Sequence, residues 1–270
     1  MAQLSVVGIG PGGAAGMTAE AADELAAADL ICGYTGYVRL VAPLFPNTPT
    51  LATGMMHEID RCRAALEAAQ TGRRVAMVCS GDAGVYGMAS PILELAPEYP
   101  SVSVKVVAGV SAAQSGAAVL GAPLGHDFAT ISLSDLLTDR AVIARRLRAA
   151  ANADFCICLY NPRSRRRTDT LAWAAGIILE SRAPETVCGW VRNIGREGQG
   201  SGTLTLGELA DLDADMLTTV FVGNSQTRLV EGRMVTPRGY REGGRIAARG
   251  VASSASAHAG AGAAGEVDAS

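Results

Sequence analysis

The feature that most constrains this chain is a recurrence in its first ~120 residues, where a short apolar run, a turn of glycine and small residues, and a helical pattern follow one another four times. Leu4 to Ile9 runs into Gly8-Ile9-Gly10-Pro11-Gly12-Gly13, and Thr18 then caps an Ala-rich helix. Asp29 to Gly33 reads as a second strand, before a short helix over Tyr34 to Val41 and a clearer one over His57 to Gln70 that Gly72 closes. Arg74 to Cys79 leads through Ser80-Gly81-Asp82-Ala83-Gly84-Val85-Tyr86-Gly87 into a helix over Met88 to Leu95. Val102 to Val107 leads through Ala108-Gly109-Val110-Ser111-Ala112-Ala113 into another. Strands joined by helical crossovers pair in parallel, so the pattern predicts an α/β domain with a mostly parallel sheet.

Gly121-Ala122-Pro123-Leu124-Gly125 breaks the rhythm and reads as a linker. Beyond it, strands are expected at Phe128 to Leu133, Asp154 to Tyr160, Thr186 to Arg192, Gly202 to Leu206 and Thr218 to Val222, with helices around Asp139 to Ala151 and Thr168 to Ser181. The turn-rich spacing of the last three strands predicts a mixed sheet, and Leu229 to Val235, centred on Glu231-Gly232, reads as a hairpin. The expected organisation is two α/β domains, 1–121 and 122–240, followed by a flexible Ala/Gly/Ser tail over 241–270.

Several function classes fit poorly. A formal charge of −3 offers no broad basic field for nucleic acid. No segment reaches the ~18 uninterrupted apolar residues of a membrane span, and the start lacks a secretory pattern, so a cytoplasmic protein is expected. Six cysteines contain no C-x-x-C pair, three histidines do not supplement them, and no metal is expected. Gly-x-Ser-x-Gly and the Walker phosphate loop are both absent.

Four loops at strand ends carry the chemistry. Gly8, Gly10 and Gly13 satisfy G-x-G-x-x-G, which raises nicotinamide or flavin binding. Against it, the second strand ends in Cys32-Gly33-Tyr34 with no acid for a ribose, and Pro11 removes an amide that a pyrophosphate cradle uses. A plain tight turn is the alternative. Gly81 and Asp82 stand where open α/β sheets place their ligands; an acid there accepts from ribose hydroxyls or an ammonium, or else caps a helix. Gly109 to Ala112 forms a comparable loop after the next strand. Finally, Tyr160-Asn161-Pro162 precedes Arg163, Arg165, Arg166 and Arg167, whose charges oppose a helix dipole and suit carboxylates, unless they are a solvated basic turn. A small-molecule transferase accommodates all four loops; an oxidoreductase or a non-catalytic small-ligand binder remains the alternative class.

Val7 to Gly12, Ser80 to Gly87 and Ala108 to Ala112 resemble, in order and spacing, the signatures of the tetrapyrrole methylases. Asp127 to Leu137, Leu159 to Ser164 and Thr236 to Tyr240 are similar to the branch of that family acting at C17 of a corrin precursor. The resemblance covers about residues 3–240. It implies a homodimer of two α/β domains with S-adenosylmethionine in the cleft between them, methylating precorrin-3B or cobalt-precorrin-3 with ring contraction; a methylase for another carbon is the nearest alternative. It implies cofactor contacts at Gly81, Asp82, Val85, Ser111, Ala112, Asn161 and Asn193. Gly10, Pro11, Gly12, Ser132, Arg163, Arg166 and Arg192 are then expected toward the substrate, and Asp135 and His126 are candidates for moving a proton. Relatives that carry an iron-sulfur centre hold it on a C-terminal cysteine segment; no cysteine follows Cys188 here, so that centre is not expected.

Overall fold

The computed structural model describes residues 2–163 and 168–240. Arg166 and the expected tail over 241–270 lie outside the described residues. All elements below belong to one compact unit ending at Pro237.

The chain begins with β1 (Ala2–Gly8), α1 (Ala19–Ala26), β2 (Leu30–Tyr34), α2 (Thr35–Val41) and β3 (Thr50–Thr53). It continues with α3 (Glu58–Gln70), β4 (Arg74–Cys79), α4 (Ala89–Leu95), β5 (Val102–Val107) and α5 (Ala112–Leu120). Strands β1 to β5 form one sheet in the order β3-β2-β4-β1-β5, and every pairing is parallel. Its central strands β1 and β4 are buried along most of their length on both faces, which is why they read as continuous apolar runs. Leu4, Val6, Val75 and Met77 pack on α3 and α4, whereas Val7, Ala76 and Val78 face α1 and α2. Thr18 caps α1 as expected, its Oγ1 accepting the Ala21 amide at 3.1 Å. Strand β3 has no counterpart in the predicted elements: it is a four-residue edge strand, half exposed, and too short for its periodicity to show.

The second half contains β6 (Gly121–Ala122), β7 (Phe128–Ser132), α6 (Arg140–Asn152), β8 (Cys156–Tyr160) and α7 (Thr170–Leu179). It closes with β9 (Val187–Arg192), β10 (Gly200–Thr205), β11 (Thr218–Val222), β12 (Arg228–Val230) and β13 (Arg233–Val235). The second sheet runs β10-β9-β11-β8-β7; β7 and β8 are parallel and the other neighbours antiparallel, the mixed sheet expected from the turn spacing. Helices α6 and α7 cover one face through Ile143, Leu147, Ala174 and Ile178. The other face receives α5, whose Ala113, Ala117 and Leu120 pack against Cys158, Val191 and Phe221. Thus α5 follows a strand of the first sheet and buries its apolar stripe on the second. The stretch read as a linker holds β6, which pairs with β13. The expected hairpin is β12–β13, with Glu231 and Gly232 both at positive φ as a two-residue I′ loop requires.

Candidate active site

The C-terminal ends of β1, β4 and β5 lie on one edge of the first sheet because the strands are parallel. Their loops are joined backbone to backbone. Gly10 and Gly81 exchange amide hydrogen bonds at 3.0 and 2.8 Å, each in the left-handed region. A Cβ on Gly109 would stand 2.2 Å from the Gly81 carbonyl oxygen and 2.6 Å from the carbonyl of Gly8, so only glycine permits this approach. Two of the glycines that mimic a dinucleotide fingerprint, Gly8 and Gly10, therefore serve loop-on-loop packing, whereas Gly13 faces open space, and the Gly10 amide is already engaged by Gly81.

Asp82 extends the same joint with its side chain. One carboxylate oxygen accepts the amides of Gly84 and Val85 at 2.8 and 3.1 Å; the other accepts Gly109 at 3.0 Å, tying the β4 loop to the β5 loop. It caps no helix, since α4 begins at Ala89. Ser111 caps α5 by accepting the Gln114 amide, and Tyr160 accepts the Ala113 amide at 2.8 Å, so the α5 N-terminus is held from both sheets. Burial raises the Tyr160 phenol above its ordinary value.

The second sheet presents the ends of β8 and β9 to the same space. Each ends in an asparagine at positive φ, Asn161 at 54° and Asn193 at 52°, a conformation asparagine accepts more readily than most residues. Asn161 Nδ2 donates to Ser132 Oγ at 2.9 Å, and Asn193 Nδ2 donates to the Gly198 carbonyl at 3.3 Å. Tyr86 crosses between the sheets: its hydroxyl donates to the Thr130 carbonyl at 3.1 Å, and its ring lies 5.1 Å from that of Tyr160.

Between these loops is a cavity of about 170 Å³ that opens to solvent. Gly81, Asp82, Val85, Ser111, Ala112, Asn161 and Asn193 all line it, as does Pro11. Gly10 stands beside it in the backbone joint, Gly12 stands against Arg196, and Ser132 touches it only through Asn161. The arginines expected toward substrate have acidic neighbours: Arg163 pairs with Asp213 at 3.1 Å, and Arg192 bonds the Asp213 carbonyl with its Nε 3.4 Å from Asp215. Neither lines the cavity. Nor do His126 and Asp135, both exposed; His126 accepts the Asp127 amide at 2.9 Å.

The cavity also contains residues that the sequence reading did not single out. Ile194, Met216 and Leu217 add apolar wall, Thr218 and Thr219 add hydroxyl groups, and Tyr37 and Arg196 close the side toward the first sheet. Arg196 lies in the turn between β9 and β10, and its Nε donates to the Pro11 carbonyl at 2.8 Å while Nη2 donates to Ser80 Oγ. Gly12 gives it room: a Cβ there would lie 2.8 Å from Arg196 Cγ.

A solvent-open cavity at strand ends, mixed apolar and polar, bordered by glycine joints, defines a small-ligand site of an α/β enzyme. The family described as Tetrapyrrole (Corrin/Porphyrin) Methylases matches residues 3–210, and the chain belongs to that family. It is similar to a Salmonella typhimurium protein named as a probable cobalt-factor III C(17)-methyltransferase, 47% identical over 238 residues, covering 88% of this chain and 99% of the relative. Among solved structures, the methyltransferase CobJ superposes with a TM-score of 0.83 at 38% identity, covering 87% of this chain and 99% of that one. A Thermus thermophilus uroporphyrin-III C-methyltransferase complexed with S-adenyl homocysteine superposes at 0.64 with 21% identity, covering 82% and 97%, and shares the fold.

Proposed function

We propose that the protein transfers a methyl group from S-adenosylmethionine to C17 of a corrin precursor, precorrin-3B or cobalt-precorrin-3, with coupled ring contraction. The observation that carries the reading is the convergence of seven residues from four separate loops, Gly81 to Ala112 from the first sheet and Asn161 and Asn193 from the second, on one cavity. Its walls supply the apolar and hydrogen-bonding surfaces that a nucleoside carrying an amino acid needs. The name of the 47% identical relative supports C17 as the position and the cobalt-bearing precursor as the first substrate to test.

The bound sulfonium supplies an electrophilic methyl group. The chain's own residues supply orientation: the glycine joint and Asp82 fix two loops, Tyr160 and Ser111 fix the start of α5, and Val85, Ile194 and Leu217 supply apolar wall. Methyl transfer depends on in-line approach, so positioning of this kind accounts for much of the acceleration without a strong base. Contraction of precorrin-3B also needs the C20 hydroxyl to lose a proton as a carbonyl forms, and His126 and Asp135 remain the candidates for that transfer. A homodimer, domains meeting near residues 121 and 122, and a cytoplasmic location belong to the same proposal; light scattering tests the first.

The deciding experiment incubates the protein with each precursor and a ¹³C-methyl donor, then locates the label by carbon NMR. Label at C17 is expected. Label at another carbon overturns the positional assignment, and binding of NAD or NADP in place of S-adenosylhomocysteine overturns the methyltransferase reading.

A further inference from the structure

Most cations around the site have an acidic partner, but Arg196 does not. Arg163 pairs with Asp213, and Arg192 lies beside Asp215. The Arg196 guanidinium lines the cavity itself, half-buried, and among the described residues no carboxylate lies within ion-pair distance of it. Its bonds to Pro11 and Ser80 use two of the five N–H donors a guanidinium carries, and Nη1 donates to nothing among the described residues. The Gly12 backbone receives its stem, so the head is held by the loops that follow β1 and β4. Burial also draws its proton affinity below the ordinary arginine value, the signature of a charge removed from water without a compensating anion. Such a group is completed by an anion that reaches it from the cavity, and a planar fork with free donors favours a carboxylate.

We propose, resting on the methyltransferase reading, that Arg196 is the anion anchor of the cavity and binds a carboxylate of the bound ligand through the donors left free by Pro11 and Ser80. Two ligands of the proposed reaction carry that group: the amino-acid end of the methyl donor and the acid side chains of the tetrapyrrole.

The test uses calorimetry on the full chain and its Arg196→Met and Arg196→Gln variants, with S-adenosylhomocysteine and its decarboxylated analogue as probes. A parallel absorbance titration uses uroporphyrin III as an octacarboxylate probe. Arg196→Gln keeps a donor for the Pro11 carbonyl, so it carries the test if the methionine variant does not fold. A loss of about 10- to 100-fold for one carboxylate probe is expected, with the decarboxylated analogue unchanged. Loss confined to S-adenosylhomocysteine assigns the anchor to the donor, and loss confined to uroporphyrin assigns it to the tetrapyrrole. Equal loss for S-adenosylhomocysteine and its decarboxylated analogue, or affinities within twofold for every probe, overturns the proposal. If the unaltered protein fails to bind S-adenosylhomocysteine, the methyltransferase reading falls instead, and the uroporphyrin titration still decides the role of Arg196.

Discussion

The two sheets reach the cavity by different means. From the first come loops that touch through bare backbone, Gly8 on Gly109 on Gly81, with Asp82 bonding only amides. From the second come loops held by side chains, Asn161 on Ser132, Arg163 on Asp213, Tyr160 on the α5 amide. A backbone joint tolerates almost no added atom, whereas a side-chain contact at the surface can be lost and replaced by water. The first half of the site is accordingly expected to be intolerant of substitution, and the second half adjustable.

The sharpest challenge to that contrast is Gly109→Ala. The new Cβ falls 2.2 Å from one carbonyl oxygen and 2.6 Å from another carbonyl, both main chain, so two loops must separate. We expect a loss of about 3 kcal/mol or more in urea unfolding. A variant within about 1 kcal/mol of the parent would show that the joint is soft and that the contrast is false. Asp82→Ala removes the acceptor for three amides without adding bulk. A cost of about 2 kcal/mol is expected, together with at least about tenfold weaker S-adenosylhomocysteine binding by calorimetry. Unchanged affinity in the folded variant would separate loop architecture from ligand binding.

Glu24 shows the first sheet using side chains away from the cavity. Its carboxylate accepts Lys105 Nζ and Ser5 Oγ at 2.8 and 2.7 Å, joining α1 to β5 and β1. The hydrogen bond from Lys105 is the main cause that holds its pKa below the ordinary 4.5, with burial opposing and Ser5 assisting. A depressed folded-state pKa contributes stability above the unfolded value and loses it as pH falls through the folded value. Glu24→Gln should therefore cost about 1 kcal/mol at neutral pH, with the difference from the parent shrinking below pH ~4.5 in denaturant titrations. A gap that stays constant down to pH ~3 would refute the linkage.

The same contrast explains what was legible beforehand. Strands β1 and β4 announce themselves because parallel, doubly covered strands are nearly continuous apolar runs, the edge strand β5 shows through its recurring valines, and each is followed by the glycine its loop needs. Periodicity cannot tell why those glycines are there: Gly8 and Gly10 suggested a phosphate cradle, and only their distance from Gly81 and Gly109 shows a packing joint. Asp82 stood out as an acid beyond a strand, with its amide partners hidden because Gly109 lies 27 residues away. Arg196 was invisible for a stronger reason. Gly195-Arg196-Glu197-Gly198 reads as a solvated turn, and the partners that draw it inward lie 185 and 116 residues earlier in the chain.

The smallest expected effect tests the adjustable side. Arg163 was expected to meet substrate carboxylates because its charge opposes a helix start, yet in the structure that charge faces Asp213, which is 91% exposed. An ion pair this open to water contributes little, and Arg163→Gln should alter urea stability by less than about 0.5 kcal/mol and leave S-adenosylhomocysteine affinity unchanged. Because Asp213 already competes for the guanidinium, its attraction for a tetrapyrrole carboxylate is weak and screened, and the KM for the tetrapyrrole should rise no more than about threefold. A rise of tenfold or more at physiological salt, with kcat unchanged, would mean that Asp213 releases Arg163 when substrate arrives. The second sheet would then contribute binding charge as well as adjustable walls, and Asp213→Asn should lower the same KM.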